Sequence, residues 1–404
     1  MANTQHEHNQ VLSGIRILDA GTVLAAPGMC GILADFGAEV IKVEQPGIGD
    51  PVRNFPPLAD GQSLTHKVTN RNKKCITLNL SSEKGQEIFK SLVRKSDAAV
   101  LNYRTPTIKK WGLDYEDLRA VNKELVMLHL TGYGRTGPYA DRPGFARAVE
   151  AFTGLTYMTG YPDKGPMPPG YAIADAMGAA YGAMSLMLAL FHRQRSGDGQ
   201  LVDLALSEGM MRAMDHVYIS YDQTGESPKR VGSINPSIAP HDIYPTVDGD
   251  WISLPVSTEN MFTRLCEALG LQHLTEDPRF HKNLDRVKHR AELDAILRPQ
   301  IESLTAQEAL NLLNQAGVAA SKINSAEDFV HDAHVKERES LVRVADPDLG
   351  RDVLMQNVVP RLSATPGKVS WPGKSLGADN QEIYGELLGF DQSTLSSLVD
   401  AGVI

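Results

Sequence analysis

Residues 168–211 read PPGYAIADAMGAAYGAMSLMLALFHRQRSGDGQLVDLALSEGMM, and this stretch predicts the centre of the fold. The pattern begins as an extended segment and continues as a helix from about Ala176 to Gln194. A glycine-rich turn, a strand at 201–205 and a further helix come next. Small residues line the first half of the long helix: Gly178, Ala179, Ala180, Gly182, Ala183 and Ser185. Such residues let another backbone or a flat ligand approach closely.

Asp175 lies where the chain enters this helix. The simplest interpretation is an N-cap, because an aspartate there accepts hydrogen bonds from the free amides of the first turn. A second interpretation is compatible with it. A helix N-terminus keeps a carboxylate ionised, and an ionised, partly desolvated carboxylate suits nucleophilic catalysis. Asp175 is therefore the candidate catalytic residue.

The composition is that of an ordinary globular protein, with 404 residues, 42% hydrophobic and 22% charged. This length is enough for two domains with full hydrophobic cores. A net charge of −9 disfavours general nucleic-acid binding but leaves an anionic ligand open. The three cysteines, Cys30, Cys75 and Cys266, follow no metal or disulfide spacing. We therefore expect no metal site and a reducing compartment.

Neither a secretion signal nor a membrane span is expected. The first residues, MANTQHEHNQ, are polar and lack an apolar core. The most apolar helical segment, near 176–191, falls short of the ~20 residues that a span requires. The protein is predicted to be cytoplasmic, with this helix buried.

Strands and helices alternate along the first 130 residues. The pattern predicts strands at 15–19, 39–44, 97–103 and 125–130, a basic turn leading into a strand within 70–80, and helices at 27–36, 82–95 and 105–123, the last with a kink near Gly112. This alternation predicts a mostly parallel α/β sheet with ligands at the carboxyl ends of its strands. The first turn, AGTVLAAPG, lacks the G-x-G-x-x-G fingerprint, so a dinucleotide-dependent dehydrogenase is disfavoured.

The pattern changes after Met214. A linker is expected over 216–240, followed by two short strands in 241–256 around the Asp248–Gly249 turn. Amphipathic helices are predicted at 258–269, 289–301 and 305–315, which gives a second, smaller α+β domain. From about residue 340 the chain is expected to be irregular, with two short helices near 379–388 and 394–399.

Several blocks of sequence occur in the order found in one enzyme family. They are LSGIRILDAGTVLAAPGMCGILADFGAEVIKVEQPGIGD, NRNKKCITLNL, DAAVLNYR, GYGRTGPYADRPG, the Asp175 segment, SGDGQLVDLAL, DPRFHKNLDRVKHRAEL and SLGADNQEI. Together they cover nearly the whole chain. In this arrangement the sequence resembles the class III CoA-transferases, the family of formyl-CoA transferase and carnitine CoA-transferase.

The resemblance implies a fold and an assembly. A large Rossmann-like α/β domain would comprise 1–215 and 340–404, and a small α+β domain would comprise 225–330. The segments 216–224 and 331–339 would be linkers. Two subunits would form an interlocked dimer, either of identical chains or with a homologous subunit.

It also implies an activity and its residues. Asp175 would attack an acyl-CoA and pass through an aspartyl-acyl anhydride and an aspartyl-CoA thioester. Coenzyme A thioesters would be substrates, and no cofactor would be permanently bound. The implied CoA contacts are Val23, Leu24, Ala25, Leu78, Asn79, Asn102, Tyr103, Arg104 and Lys110. Arg71 and Lys74, in a basic turn before a strand, are candidates for phosphate binding.

Two departures from the family pattern bear on the substrate, and a third, in the loop that covers the family's active site, puts that loop's capping role in doubt. Leu24 and Ala146 stand where formyl-CoA transferase has a glutamine and a glutamate, which argues against oxalate or formyl chemistry and for a larger acid. Arg147 is either a partner for the second carboxylate of a dicarboxylate or part of a structural ion pair. The loop VGSINPSIAPH has one glycine where the family has a glycine-rich loop. The segment PHDIYPTVDGDWISL resembles branches that use succinyl-CoA with citramalate, itaconate or benzylsuccinate.

Two alternatives remain open at this point. An α-methylacyl-CoA racemase shares the fold but needs a histidine near 144–149, where this chain reads GFARAV. A catalytically silent subunit paired with an active homologue would be free to lose Asp175, which this chain retains.

Overall fold

The computed structural model describes residues 10–404. The polar segment 1–9, on which the expectation about secretion largely rests, lies outside this range. The described chain divides into two compact units. The first comprises the chain up to Leu155, Pro168–Thr224 and Lys336–Ile404, and the second comprises Thr156–Met167 and Gly225–Val335. Residues 156–167 thus group with the second unit, whereas the sequence analysis placed them in the large domain.

The first unit is built on a parallel sheet. Within residues 10–404 its six strands are β1 (Arg16–Ala20), β2 (Glu39–Glu44), β3 (Lys73–Thr77), β4 (Ala98–Leu101), β5 (Val126–Thr131) and β6 (Leu201–Ala205). Their order is β3-β2-β1-β4-β5-β6, and every neighbouring pair is parallel. This is a Rossmann-like order, which reverses between β1 and β4 and opens a ligand crevice at their carboxyl ends. The predicted parallel sheet is confirmed.

Helices cover this sheet. Those of the first unit are Ala25–Asp35 (the first helix), Leu64–Thr69, Glu83–Val93, Thr105–Lys110, Tyr115–Arg119, Ala146–Phe152, Ile173–Ser196 (the central helix), Leu206–Arg212, Val217–Thr224, the π-helix Gln381–Leu387, Gln392–Asp400 and the 3-10 turn Pro51–Asn54. Two short helices, Leu155–Met158 and Ala333–Glu337, lie where the chain passes between units. Strand pairs Leu58–Ala59 with Gln62–Ser63 and Leu341–Asp346 with Arg351–Gln356 form antiparallel hairpins.

The glycines of the central helix let it pack closely on two neighbours, the first helix and the helix Leu206–Arg212. A Cβ added at Gly178 would come within 2.5 Å of Leu206 Cδ2, and one at Gly182 within 2.4 Å of Met29 Cε. The helix has 24 residues, so the prediction that its apolar stretch was too short to cross a membrane was wrong. An 18-residue window has mean hydropathy 1.4, enough for a span by composition. Its packing within the first unit makes it a core helix instead.

Three other segments differ from the prediction. The kink predicted near Gly112 is a full break, and the helix expected over 105–123 is two helices, because Gly112 adopts a left-handed φ of 61° between them. The predicted linkers 216–224 and 331–339 are largely helical. The region after 340, expected to be irregular, begins with a hairpin whose buried Val344 and Met355 belong to facing strands.

The second unit has its own core. A three-stranded antiparallel sheet has the order Ser321–Lys322, Trp251–Pro255, His241–Pro245. Its helices are Glu259–Ala268, the 3-10 turn Gln272–Thr275, Asn283–Lys288, Arg290–Glu302, Ala306–Gln315 and Ala326–His331. The hairpin around Asp248–Gly249 and the helices predicted near 258–269, 289–301 and 305–315 are confirmed.

Candidate active site

A cavity of about 240 Å³ lies at the carboxyl ends of β1, β4 and β5, all within the first unit. Its wall comprises 22–25, Asn102, Arg104, 130–132, Ala140, 142–145, Asp175 and Leu206. The strand order reverses between β1 and β4, so the cavity occupies the crevice that this topology predicts.

The loop after β1 is held by two side chains from distant parts of the chain. The amide of Asn102 accepts from Thr22 N at 2.9 Å and donates to Thr22 O at 2.9 Å. The buried carboxylate of Asp50 accepts from Val23 N at 3.0 Å. Val23 has φ 69°, a left-handed conformation that β-branched residues rarely adopt. A strained backbone of this kind persists only where surrounding contacts hold it in place. We therefore infer that the hydrogen bonds of Asn102 and Asp50 fix the conformation of this part of the cavity wall.

Asp175 enters the cavity from the first turn of the central helix. The prediction that it caps this helix was wrong, because the helix begins at Ile173 and its N-cap position is Ala172. The cap is supplied from elsewhere: Glu150, fully buried, accepts from Ala174 N at 3.2 Å. Within residues 10–404 no donor is hydrogen-bonded to the Asp175 carboxylate. The carboxylate is therefore free to react.

The surroundings make Asp175 a weaker acid than usual. Burial, and then the neighbouring Glu150 carboxylate, raise the pKa of Asp175 to about 6. A carboxylate with a raised pKa is still ionised near neutral pH and is a stronger nucleophile than an ordinary aspartate. Arg147 donates to Glu150 at 3.0 Å and also to Pro169 O, so Glu150 stays paired beside the nucleophile.

This arrangement predicts a pH effect for Glu150→Gln. The glutamine keeps an oxygen for Ala174 N but removes the negative charge that raises the pKa of Asp175. The acid limb of the rate of Asp175 acylation should therefore move to lower pH, by a fraction of a unit because burial is the larger cause. Stopped-flow rates between pH 5 and 8 would measure it. Glu150→Ala, which also loses the hydrogen bond, serves as the comparison, and an unchanged limb in the glutamine variant would contradict the assignment.

Five of the predicted CoA contacts lie in the cavity with Asp175: Val23, Leu24, Ala25, Asn102 and Arg104. The other predicted contacts lie outside its wall. Leu78 is in the core, and Asn79 N donates to Val403 O at 2.8 Å. Tyr103 packs edge-on against Trp111, with ring centroids 5.0 Å apart. Lys110 is exposed at the end of its helix.

The predicted phosphate-binding cations are engaged in ion pairs. Lys74 contacts Glu39 and Glu382, each at 2.6 Å. Arg71 forms a two-pronged pair with Asp35 and also donates to Gln356 O. Arg71 nevertheless lines a second cavity, of about 450 Å³, that shares Leu24 and Asp175 with the first. Asp175 thus stands between two adjoining cavities.

Ala146 and Arg147, the two residues predicted to contact the acid substrate, lie outside the cavity wall. Ala146 is buried at the start of its helix. Arg147 is 47% exposed, pairs with Glu150 and does not line the cavity. This geometry matches the ion-pair interpretation of Arg147.

Sequence reasoning missed Glu150, Asp50 and Arg142. Arg142 lies in the quoted glycine- and proline-rich loop, but nothing in that sequence indicates which way its side chain points. In the structure its guanidinium stacks on Tyr139, with Cζ 3.6 Å from the ring centroid, and lines the Asp175 cavity. The signal available for Asp50 was its position just after the β2 strand, at the sheet edge where ligands bind.

No histidine of the described chain lines this cavity. His129, on β5, is fully buried. Because an arginine can only donate, His129 Nδ1 accepts from Arg135 at 2.7 Å, and its Nε2–H donates to Tyr103 O at 2.7 Å. A histidine–aspartate acid–base pair is therefore not assembled around Asp175. Within residues 10–404 there is also no cluster of His, Cys, Asp or Glu arranged to hold a metal.

Comparison with known proteins gives a consistent set of relatives. Residues 12–380 match CoA-transferase family III. The chain is 43% identical to succinyl-CoA–D-citramalate CoA-transferase of Chloroflexus aurantiacus, over 97% of this chain and 98% of that protein. It is 39% identical to the succinyl-CoA–L-malate CoA-transferase beta subunit of the same organism, again over 97% and 98%. A crystal structure of a CAIB/BAIF family protein from Brucella suis superposes with a TM-score of 0.83 at 32% identity, covering 94% and 100% of the two chains.

Proposed function

Since the chain belongs to CoA-transferase family III and is a class III CoA-transferase, we propose that it moves CoA from succinyl-CoA to a dicarboxylic acid, with Asp175 as the covalent nucleophile. The observation that carries the mechanism is the unbonded Asp175 carboxylate in the crevice between β1 and β4. The named reactions of the two relatives support the substrate class, of which citramalate, itaconate and benzylsuccinate are members.

The first half of the reaction transfers CoA to the enzyme. A carboxylate oxygen of Asp175 attacks the thioester carbon, the C–S bond breaks, and CoA thiolate leaves behind a succinyl–aspartyl anhydride. The thiolate then attacks the Asp175 carbonyl carbon and the anhydride C–O bond breaks at that carbon. Succinate leaves with one oxygen that belonged to Asp175, and an aspartyl-CoA thioester remains.

The second half transfers CoA to the acceptor. A carboxylate oxygen of the acceptor attacks the aspartyl carbon, the C–S bond breaks, and a second anhydride forms. CoA thiolate attacks the acceptor's acyl carbon, and the C–O bond on that side breaks. The new thioester leaves, and Asp175 recovers a carboxylate that holds one oxygen from the acceptor. No net proton transfer is required, so a histidine has no role in this route.

The cavity wall contributes positioning and charge. Leu24, the N-cap position of the first helix, has no side-chain cap, and Pro27 carries no N–H, so the amides of Ala25 and Ala26 would be the ones available to an oxyanion beside Asp175. Val23, Leu24, Ala25 and Asn102 would contact the pantetheine arm, and Arg104 a CoA phosphate. Apolar Leu24 and the buried Leu206 line the cavity with Asp175 and would help to exclude water, which would hydrolyse the anhydrides.

The proposed assembly is an interlocked dimer in the cytoplasm. Its support is an apolar stripe on the central helix: Met184, Leu188 and Phe191 are 49%, 63% and 58% exposed in the single chain. Because one relative is a beta subunit, the partner is either a second copy or a homologous chain. Light scattering that returned the mass of one chain would contradict either assembly.

The decisive experiment is to trap the acyl-enzyme. The protein would be incubated briefly with succinyl-CoA, quenched with hydroxylamine and analysed by peptide mass spectrometry. A hydroxamate on the peptide that carries Asp175 is expected. In multiple turnovers, a carboxylate-18O acceptor should also deliver label first to Asp175 and then to released succinate. An unmodified Asp175 with succinyl-CoA, acetyl-CoA and an aromatic acyl-CoA would overturn the mechanism and favour the silent-subunit alternative.

A further inference from the structure

The Asp175 cavity is lined by two arginines that differ from the other arginines near the nucleophile. Arg71 and Arg147 already donate to Asp35 and Glu150, and each also donates to a backbone carbonyl. Arg104 and Arg142 line the cavity, and within residues 10–404 neither guanidinium has an acidic partner. A cation that faces a cavity without a counter-charge is suited to an anionic ligand.

Both substrates of the proposed reaction carry anionic groups at two places. CoA thioesters have phosphates at one end, and a dicarboxylic acyl group has a free carboxylate at the other, beyond the reacting carbonyl. Two unpaired cations in one cavity match these two requirements. One arginine would bind a CoA phosphate, and the other would bind the free carboxylate of the acyl group.

The position of each arginine along the sheet separates the two roles. Arg104 follows β4, two residues after Asn102, whose side chain holds the loop at Thr22. It therefore belongs to the wall at which CoA is proposed to bind. Arg142 comes from the loop after β5, one strand further along the sheet, and neighbours Pro143, Gly144 and Phe145 in the same wall.

Arg142 is also held in place before any ligand binds. Its Cζ lies over the Tyr139 ring, 3.6 Å from the centroid, and Tyr139 packs edge-on against Tyr133 and Phe152, with centroids 5.9 and 5.8 Å apart. Stacking on an aromatic face leaves the N–H edge of a guanidinium free, and that edge matches a carboxylate with two parallel hydrogen bonds. The Tyr139 ring thus orients the Arg142 guanidinium so that its N–H edge can bind a carboxylate.

We infer that Arg142, stacked on Tyr139, binds the distal carboxylate of the dicarboxylic acyl group and thereby sets the acid specificity of this enzyme. The inference rests on the proposed function. Leu24, Ala140 and Phe145 are apolar members of the same wall and offer the distal carboxylate no partner, so a monocarboxylic acyl chain of equal length would leave the guanidinium without its anion. A site built to hydrogen-bond a substrate group discriminates strongly against the analogue that lacks it.

The test compares succinyl-CoA with butyryl-CoA, whose acyl chains both have four carbons but differ in the terminal carboxylate. The rate of hydroxylamine-trapped acylation gives kcat/KM for each. Wild-type protein should prefer succinyl-CoA by ~10²-fold or more. In Arg142→Met the preference should fall to within about threefold, because the succinyl rate drops ~10²-fold while the butyryl rate does not. Arg142→Lys, which keeps the charge but loses the fork, should recover part of it.

Two further variants separate specificity from general damage. Arg104→Met should slow both thioesters by the same factor, since CoA is common to them. Arg119→Met makes the same change at an exposed arginine outside the cavity and should leave the preference intact. An Arg142→Met protein that folds, binds CoA and keeps the wild-type preference would overturn the inference alone. Wild-type protein that forms no hydroxamate from either thioester would overturn the proposed function, and this inference with it.

Discussion

Asp175→Asn is expected to reduce CoA transfer more than ~10³-fold, because an amide cannot form the anhydride on which every later step depends. The substitution preserves the shape of the side chain, and within residues 10–404 the Asp175 carboxylate accepts no hydrogen bond whose loss would disturb the helix. CoA binding should therefore persist. Steady-state transfer with succinyl-CoA and citramalate, alongside calorimetric CoA binding, would measure the two effects separately.

The same variant should be more stable than the wild type at neutral pH. The folded-state pKa of Asp175 is raised from 3.8 to about 6, so the folded protein holds this proton more tightly than the unfolded chain does. Stability consequently falls as pH rises through that window, and above pH 6 the ionised, partly exposed carboxylate costs about 1–2 kcal/mol. Asparagine removes this cost. Denaturation at pH 7.5 should show the gain, and at pH 3.5, where folded Asp175 is protonated and the unfolded aspartate mostly so, most of the difference should disappear.

Two outcomes would contradict this role. Turnover above ~1% of the wild-type rate, on protein that mass spectrometry shows has not deamidated back to aspartate, would exclude Asp175 as an obligatory nucleophile. Equal stability of the two proteins at pH 7.5 would show that the carboxylate is not desolvated as its burial implies.

Hydrophobic pattern was sufficient to predict the parallel sheet, because its strands are buried on both faces and carry long apolar runs. Val126–Thr131, for example, reads VMLHLT and lies within two residues of its predicted start and end. The glycines of the central helix likewise indicated a close approach of another backbone, which the first helix makes.

The start of the central helix illustrates what local pattern cannot supply. Asp175 looked like its cap, since aspartate is favoured there and Ile173–Ala174 offer no capping side chain. The cap in fact comes from Glu150, 24 residues earlier in the chain. The Arg142 side chain was equally hard to predict. Its orientation depends on contact with the Tyr139 ring and on the conformation of a loop whose sequence has no hydrophobic periodicity. The hydrophobic pattern of the sequence is sufficient to predict the sheet, whereas the geometry around Asp175 depends on contacts between residues distant in the chain.

The second large effect is expected at Asp50, outside the set of residues that touch substrate. Asp50 and Lys42 are 2% and 1% exposed, and Lys42 Nζ lies 2.9 Å from Asp50 Oδ2. Burial alone would lower the pKa of Lys42, but the carboxylates of Asp19 and Asp50 raise it well above its ordinary value. Removing one partner of such a pair leaves a poorly compensated buried charge. Asp50→Ala should therefore lower the free energy of unfolding by about 3–5 kcal/mol, measurable by urea denaturation.

Asp50→Ala should also impair catalysis in the molecules that remain folded. The carboxylate accepts from Val23 N and Val52 N, each at 3.0 Å, and without it nothing from this side holds Val23 at φ 69°. Relaxation of that strained backbone would displace Leu24 and Ala25 from their places beside Asp175, and a small misplacement of a reacting group costs ~10²-fold in rate. Acylation rates corrected for the folded fraction would measure this loss.

Asp50→Asn separates the two roles of this side chain. Its oxygen can still accept from the amides of Val23 and Val52, but its amide nitrogen would face the Lys42 ammonium. We expect the asparagine variant to lose stability while its folded molecules keep most of their acylation rate, whereas the alanine variant loses both. If folded Asp50→Ala acylates at the wild-type rate, Val23 does not depend on this clamp. The buried pair would then serve stability only, and the left-handed loop would be held by Asn102 and the packing of the first helix.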